Sequence, residues 1–271
     1  MFSPYYAWSR AIRKQADPQN FVSLNVALYR PGRKSWCMTE RGRGQLARDA
    51  THFQVGRSAL RWSGDRLEID IDEVAVPFPH RVRGRVTLHP HALTEAPFAL
   101  DAGFRHAWWP LAPRAEVHVD LDEPGWTWRG HGYFDRNWGM EPLEQAFADW
   151  TWSRTPFGRE TLLLYDARPR SGADRTLALR MDASGQVWPI DMPPRVPLQP
   201  TAWRLPRSTR SEGAARVIRS LEDGPFYARA SVETTWAGIR GIGMHEALSL
   251  NRFSNRLVQA MLPFRMPRRS H

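Results

Sequence analysis

In RLEIDIDEV (residues 66–74), apolar Leu67, Ile69 and Ile71 alternate with Glu68, Asp70 and Asp72. Side chains of an extended strand point to opposite faces at each step, so this stretch carries one apolar and one polar face. The same period recurs in VSLNVALY (22–29), through Val22, Leu24, Val26 and Leu28, and in AEVHVDLD (115–122), through Val117, Val119 and Leu121. Alternation of this kind belongs to antiparallel sheets that cover a core with one face. WSGDRL (62–67) sets Gly64-Asp65 between two strand-like runs and predicts a hairpin turn. Further strands are predicted over 160–168, 175–182, 185–190, 215–222, 226–236 and 243–250.

Helix signals are few. Leu143, Ala146 and Phe147 share one face of a short predicted helix over 141–150, and a second is predicted over 251–262. No βαβ alternation, Walker loop or GxGxxG occurs, which excludes a nucleotide-binding α/β fold. The expectation is an all-β chain of antiparallel barrels or sandwiches. A fresh series of strands begins after residue 148, so two domains are expected, 1–148 and 149–271.

The 271 residues carry a formal charge of +10, and only Lys14 and Lys34 are lysines among 38 basic residues. Such charge suits nucleic acid, an anionic membrane or an acidic substrate. No basic run is interleaved with aromatics, so nucleic acid is not the expected partner. The single cysteine, Cys37, excludes an internal disulfide and a CxxC metal site, and fits a reducing compartment. No apolar run reaches the ~18–20 residues that span a bilayer, and the start lacks a signal peptide's apolar segment. A cytoplasmic chain with peripheral membrane contact is expected, the tail LPFRMPRRSH (262–271) being one candidate for that contact. The sequence fixes no oligomeric state.

The chemistry-bearing stretch is GWTWRGHGYFDRNWGMEPLE (125–144). Five of the 13 tryptophans (Trp126, Trp128, Trp138, Trp150 and Trp152) fall in or just after it. On a strand, His131, Tyr133 and Asp135 share a face. A carboxyl walled by aromatic rings is poorly hydrated, its pKa rises, and it can deliver a proton near neutral pH. If the acceptor is an alkene carbon, indole and phenol faces stabilise the resulting cation by ~0.5–2 kcal/mol each. The residues alone also allow a plainer reading, with Asp135-Arg136-Asn137 as a turn and the tryptophans as core. Asp70, Asp72 and Glu73 read as a solvated strand face rather than a metal cluster, the histidines lack ligand spacing, and no GxSxG occurs.

The residues of FSPYYAW (2–8), SALRWSGDRLEIDIDE (58–73), FALDAGFRHAWWPLAPRAEV (98–117), GYFDRNWGMEPLE (132–144), HEALSLNRF (245–253) and VQAMLPFRMPRR (258–269) resemble the carotenoid 1,2-hydratases, or hydroxyneurosporene synthases. The resemblance runs along nearly the whole chain. It implies two lipocalin-like β domains, no cofactor, and hydration of the terminal C1–C2 double bond of acyclic carotenoids such as neurosporene and lycopene. It also implies that the aspartate of the D-x-N-x-G element, Asp135 here, is the acid. Family members are longer at the start, so the first barrel is expected to lack strands and to present an open edge.

Within that reading, Tyr133, Trp126, Trp128 and Trp138 flank the cation, and Trp150 and Trp152 add to the substrate wall. His131, Asn137 and Glu141 position water or return the proton to Asp135. Two rivals share the implied fold: a non-catalytic lipid or pigment carrier, and a pericyclase or isomerase. Neither adds water to its ligand.

Overall fold

The computed structural model describes residues 2–13 and 16–269. The chain divides into two compact units that interleave along the sequence. Unit 1 comprises residues 1–90, 115–132 and 259–271; unit 2 comprises 91–114 and 133–258. The compact units therefore do not follow the two contiguous stretches 1–148 and 149–271. Position 148 lies inside unit 2, because the chain crosses between units along two long strands.

Unit 1 opens with helix α1 (Pro4–Arg13), outside the two helices predicted above. Strands β1 (Asn25–Arg30) and β2 (Arg33–Met38) form a hairpin around Pro31-Gly32, where Gly32 adopts φ +67°. After β3 (Glu40–Arg41) come β4 (Leu46–Arg48), β5 (His52–Val55), β6 (Ser58–Ser63), β7 (Arg66–Val74) and β8 (Arg81–Pro90). They form one antiparallel sheet with β10 (His106–Glu123) and β11 (Trp126–Gly139), in the order β11-β10-β8-β7-β6-β5-β4. The short β9 (Phe98–Ala99) pairs with β10. The predicted Gly64-Asp65 turn joins β6 to β7, with Ser63 opposite Arg66. The alternation of β7 holds in space: Leu67 and Ile71 are buried, while Asp70 and Asp72 meet arginines on the other face.

Unit 2 holds β12 (Phe147–Phe157), β13 (Glu160–Pro169), β14 (Arg175–Met181), β15 (Val187–Pro189), β18 (Arg216–Asp223), β19 (Tyr227–Trp236) and β20 (Ile239–Ser249), in the order β15-β14-β13-β12-β20-β19-β18. A small ribbon of β16 (Arg195–Pro197) and β17 (Ser208–Arg210) stands apart from that sheet. β13 is buried at seven successive positions, Thr161 to Ala167, as suits a strand covered on both faces. Phe157, Leu162, Leu164 and Ala178 make one core cluster.

The predicted helix over 141–150 shrinks to α2 (Leu143–Ala146). From Phe147 the chain is strand β12, whose backbone pairs with β13 on one side and β20 on the other. Two full ladders outweigh the weak local helical pattern. The second predicted helix splits into α3 (Leu250–Phe253) and α4 (Arg256–Met261) around Ser254-Asn255. The tail ends in β21 (Arg268–Arg269), parallel to β3, while Ser270 and His271 lie outside the described residues. The fold is all-β with few short helices, and among the described residues neither large sheet closes into a ring.

Candidate active site

The unit 2 portion of β11 carries Tyr133, Asp135 and Asn137 at alternate positions, so their side chains share a face. Tyr133 Oη donates to Asp135 Oδ2 at 3.1 Å. The neighbouring strand β10 brings in Trp108, a fully buried ring whose Nε1 donates to the same oxygen at 2.8 Å. Asn137, two residues on along the same face, weakly favours the ionised form of the carboxyl. Among the described residues, no cationic side chain forms an ion pair with Asp135.

Rings enclose this carboxyl. The Tyr133 ring lies 5.3 Å from that of Trp152, centroid to centroid. Trp108 packs on Tyr165 at 5.3 Å, and Tyr165 lies 6.3 Å from Trp150. Trp152 and Tyr165 are cross-strand partners on β12 and β13, and Glu246 of β20 is the partner on the other side. Pairing thus puts an indole, a phenol and a carboxylate in one row across three strands.

Burial raises the Asp135 pKa above the ordinary 3.8, and the negative charge of Glu246 adds to it. The hydrogen bonds from Trp108 and Tyr133, with a smaller pull from Asn137, favour the ionised form and do not cancel the burial. Burial, then the charge of Asp135, also raises Tyr133, so its phenol stays a donor. Glu246 is held through Oε1 by Arg229 Nη2 at 2.7 Å and Nε at 2.8 Å. Arg154, held on the Pro113 carbonyl, stands 5.6 Å from the Tyr133 ring centroid.

The other predicted site residues fall elsewhere. Trp126 and Trp128 belong to unit 1, 5.9 Å apart. With Leu60, Ile69, Ile71 and Val119 they line an apolar cavity of about 460 Å³ within that unit. His131 is exposed and also belongs to unit 1. Trp138, on the opposite face of β11 from Asp135, is partly exposed with the Arg136 guanidinium 5.2 Å from its ring. Glu141 pairs with Arg105 at 3.1 Å, and its backbone carbonyl is 3.1 Å from His106 Nε2.

Sequence reading missed Trp108, Tyr165, Arg154 and Glu246. It also missed His106, whose Nδ1 lies 2.9 Å from Asp101 Oδ2 and whose ring meets Phe147 edge-on at 5.0 Å. Gly139 belongs to the same corner: a Cβ there would lie 2.2 Å from the His106 ring, so only glycine lets β11 pass. HAWW (106–109) offered a signal, since it places His106 and Trp108 two apart on one strand face. Cys37 is fully buried, and burial pushes its thiol up to about 12, which removes it as a nucleophile. Among the described residues, no group of three His, Cys, Asp or Glu side chains is arranged to hold a metal ion.

The model of the family described as carotenoid hydratase CrtC matches residues 1–271. An acyclic carotenoid 1,2-hydratase of Thiocapsa roseopersicina is 50% identical over 271 residues, 99% of this chain and 67% of that protein. Another, from Cereibacter sphaeroides, is 39% identical over 272 residues, 99% of this chain and 95% of that protein. Among solved structures, an AttH protein of Nitrosomonas europaea superposes with a TM-score of 0.58 at 16% identity, covering 84% of this chain and 81% of that one. That likeness supports the lipocalin-like β architecture alone. Matched from end to end by the family's model, and with close relatives along its whole length, this chain belongs to the carotenoid hydratase family.

Proposed function

We propose that this chain adds water across the C1–C2 double bond of an acyclic carotenoid, with Asp135 as the acid. The observation that carries the reading is a carboxyl enclosed by rings, ion-paired with no cation among the described residues, and raised in pKa by burial. Because Trp108 and Tyr133 both donate to Oδ2, the transferable proton sits on Oδ1. Oδ1 protonates C2, the C1–C2 π pair forms the new C2–H bond, and a tertiary cation is left at C1. Water attacks C1, and its surplus proton returns to the Asp135 carboxylate. The sum is one alkene plus one water.

The Asp135→Asn variant tests this, with lycopene or neurosporene as substrate and pigment mass as readout. A folded variant is expected to lose about 10²–10⁴-fold in hydration. A folded, fully active Asp135→Asn protein ends the proposal. A carrier or an isomerase would return pigment of unchanged mass from the unaltered chain.

No helix among the described residues is long and apolar enough to cross a membrane. For a substrate that dissolves in lipid, we propose peripheral contact through the corner formed by Phe104, Trp138 and Met140. Met140 is 81% exposed, its backbone N–H donates to the Arg105 carbonyl, and the Arg136 guanidinium lies 5.2 Å from the Trp138 ring centroid. Each basic residue near an anionic surface adds ~1 kcal/mol. Met140→Asp is expected to weaken co-sedimentation with phosphatidylglycerol vesicles; unchanged binding removes this corner from the reading.

A further inference from the structure

Trp152 presents a donor with no acceptor among the described residues. Its Nε1 is closed off from solvent, and no group among the described residues takes its hydrogen. Other indoles in the interior or at its margin differ: Trp36 donates to the Arg265 carbonyl, Trp108 to Asp135, and Trp109 to Thr94. A buried donor without an acceptor calls for a reason in the function of the site. Trp152 packs on Tyr133, whose hydroxyl is 3.1 Å from Asp135 Oδ2, and pairs across the sheet with Tyr165 and Glu246.

The hydration chemistry needs such a donor. A cation formed against hydrocarbon and ring walls is captured only by a water already held beside it. The indole of Trp108 and the phenol of Tyr133 are engaged on Oδ2. We propose that the Nε1–H of Trp152 binds the attacking water. A water that accepts this hydrogen bond keeps a second lone pair for C1. One of its own hydrogens is then free to pass to the Asp135 carboxylate as the C–O bond forms. The inference rests on Asp135 being the acid and assigns the water site of the same reaction.

The test runs the full chain on lycopene in D₂O and measures two products by mass. Hydrated pigment reports capture. Deuterium in recovered lycopene reports cations that formed by deuteron transfer to C2 and reverted by loss of a proton. Trp152→Phe is expected to slow hydration on the order of tenfold and to raise the ratio of exchange to hydration. An unchanged ratio, or exchange and hydration falling together, overturns the proposal. Should the phenylalanine variant fail to melt cooperatively, 3-benzothienylalanine in place of Trp152 keeps the ring shape without the N–H, and the same ratio decides. Asp135→Asn in the same solvent separates the two assignments. If it shows neither exchange nor hydration, the acid stands and the ratio judges Trp152 alone; if it hydrates, the acid assignment fails whatever Trp152 does.

Discussion

Asp72 in unit 1 and Asp135 in unit 2 are the same side chain on a β-strand, with opposite neighbours. Arg81 clasps Asp72 with Nε at 3.0 Å and Nη2 at 2.9 Å. That bond is the main reason its pKa lies below the ordinary carboxylate value, with the charges of Arg81, Arg57 and Arg83 adding to it against a modest burial. Asp135 has indole, phenol and amide donors instead, and burial holds its pKa above that value. A guanidinium keeps a carboxylate ionised and structural, whereas a ring wall keeps a carboxylic acid ready to give up its proton. In an arginine-rich chain, a buried carboxyl held by ring donors rather than by an arginine marks the chemistry.

The largest effect beyond lost turnover is expected in stability against pH. Asp135 ionises near 3.8 when unfolded and at higher pH when folded. Between those values the native state binds more protons, so this group's contribution is full below the unfolded pKa and is lost as pH rises through the folded one. Asp135→Asn removes the titration. It should therefore melt higher than the unaltered chain at pH 8, with the gap closing toward pH 4. A gap that widens with acid breaks the contrast with Asp72.

Two smaller changes move the same proton in opposite directions. The Trp108 N–H favours the carboxylate, so Trp108→Phe raises the Asp135 pKa further and shifts the alkaline limb of the rate profile upward. A hydrogen bond to a charged group is worth ~1.5–3 kcal/mol, so a roughly 10- to 100-fold loss of rate accompanies the shift. Glu246 repels the ionised Asp135, so Glu246→Gln lowers its pKa and brings the limb down, with less than about a tenfold change in rate. Limbs that move together in both variants would show that the profile reports another group.

Much of this was legible in sequence where the signal is local. Alternation in 66–74 gave β7 and its two faces, and Gly64-Asp65 gave the turn. Period 2 also placed Tyr133 beside Asp135. What escaped was cross-strand. Trp108 meets Asp135 through the pairing of β10 with β11, and no spacing rule links residues 27 apart in the chain. Glu246 joins the row only because β20 lies against β12. Helix expected from Leu143, Ala146 and Phe147 yielded to the ladders of β12. The tryptophans were read as one wall from their nearness in sequence, yet Trp126 and Trp128 stand in unit 1 and Trp150 and Trp152 in unit 2. Composition identifies which side chains are present, and strand order decides which carboxyl they enclose.

The weakest of these changes tests the other half of the contrast. Asp72→Asn removes a pair whose side chains are 23% and 39% exposed, a setting worth ~0.2–1 kcal/mol. The folded pKa of Asp72 is depressed, so the stability it adds is present above the unfolded pKa and lost as pH falls through the folded one. Asp72→Asn should therefore melt slightly lower than the unaltered chain at pH 7 and equal to it in acid, the reverse of Asp135→Asn. High salt should shrink the difference, because exposed charges are screened. Its hydration rate should be unchanged. A tenfold loss of hydration in a well-folded Asp72→Asn protein would mean that the arginine-clasped carboxylates of unit 1 act in the chemistry, and that a ring wall in place of a guanidinium no longer singles out the acid.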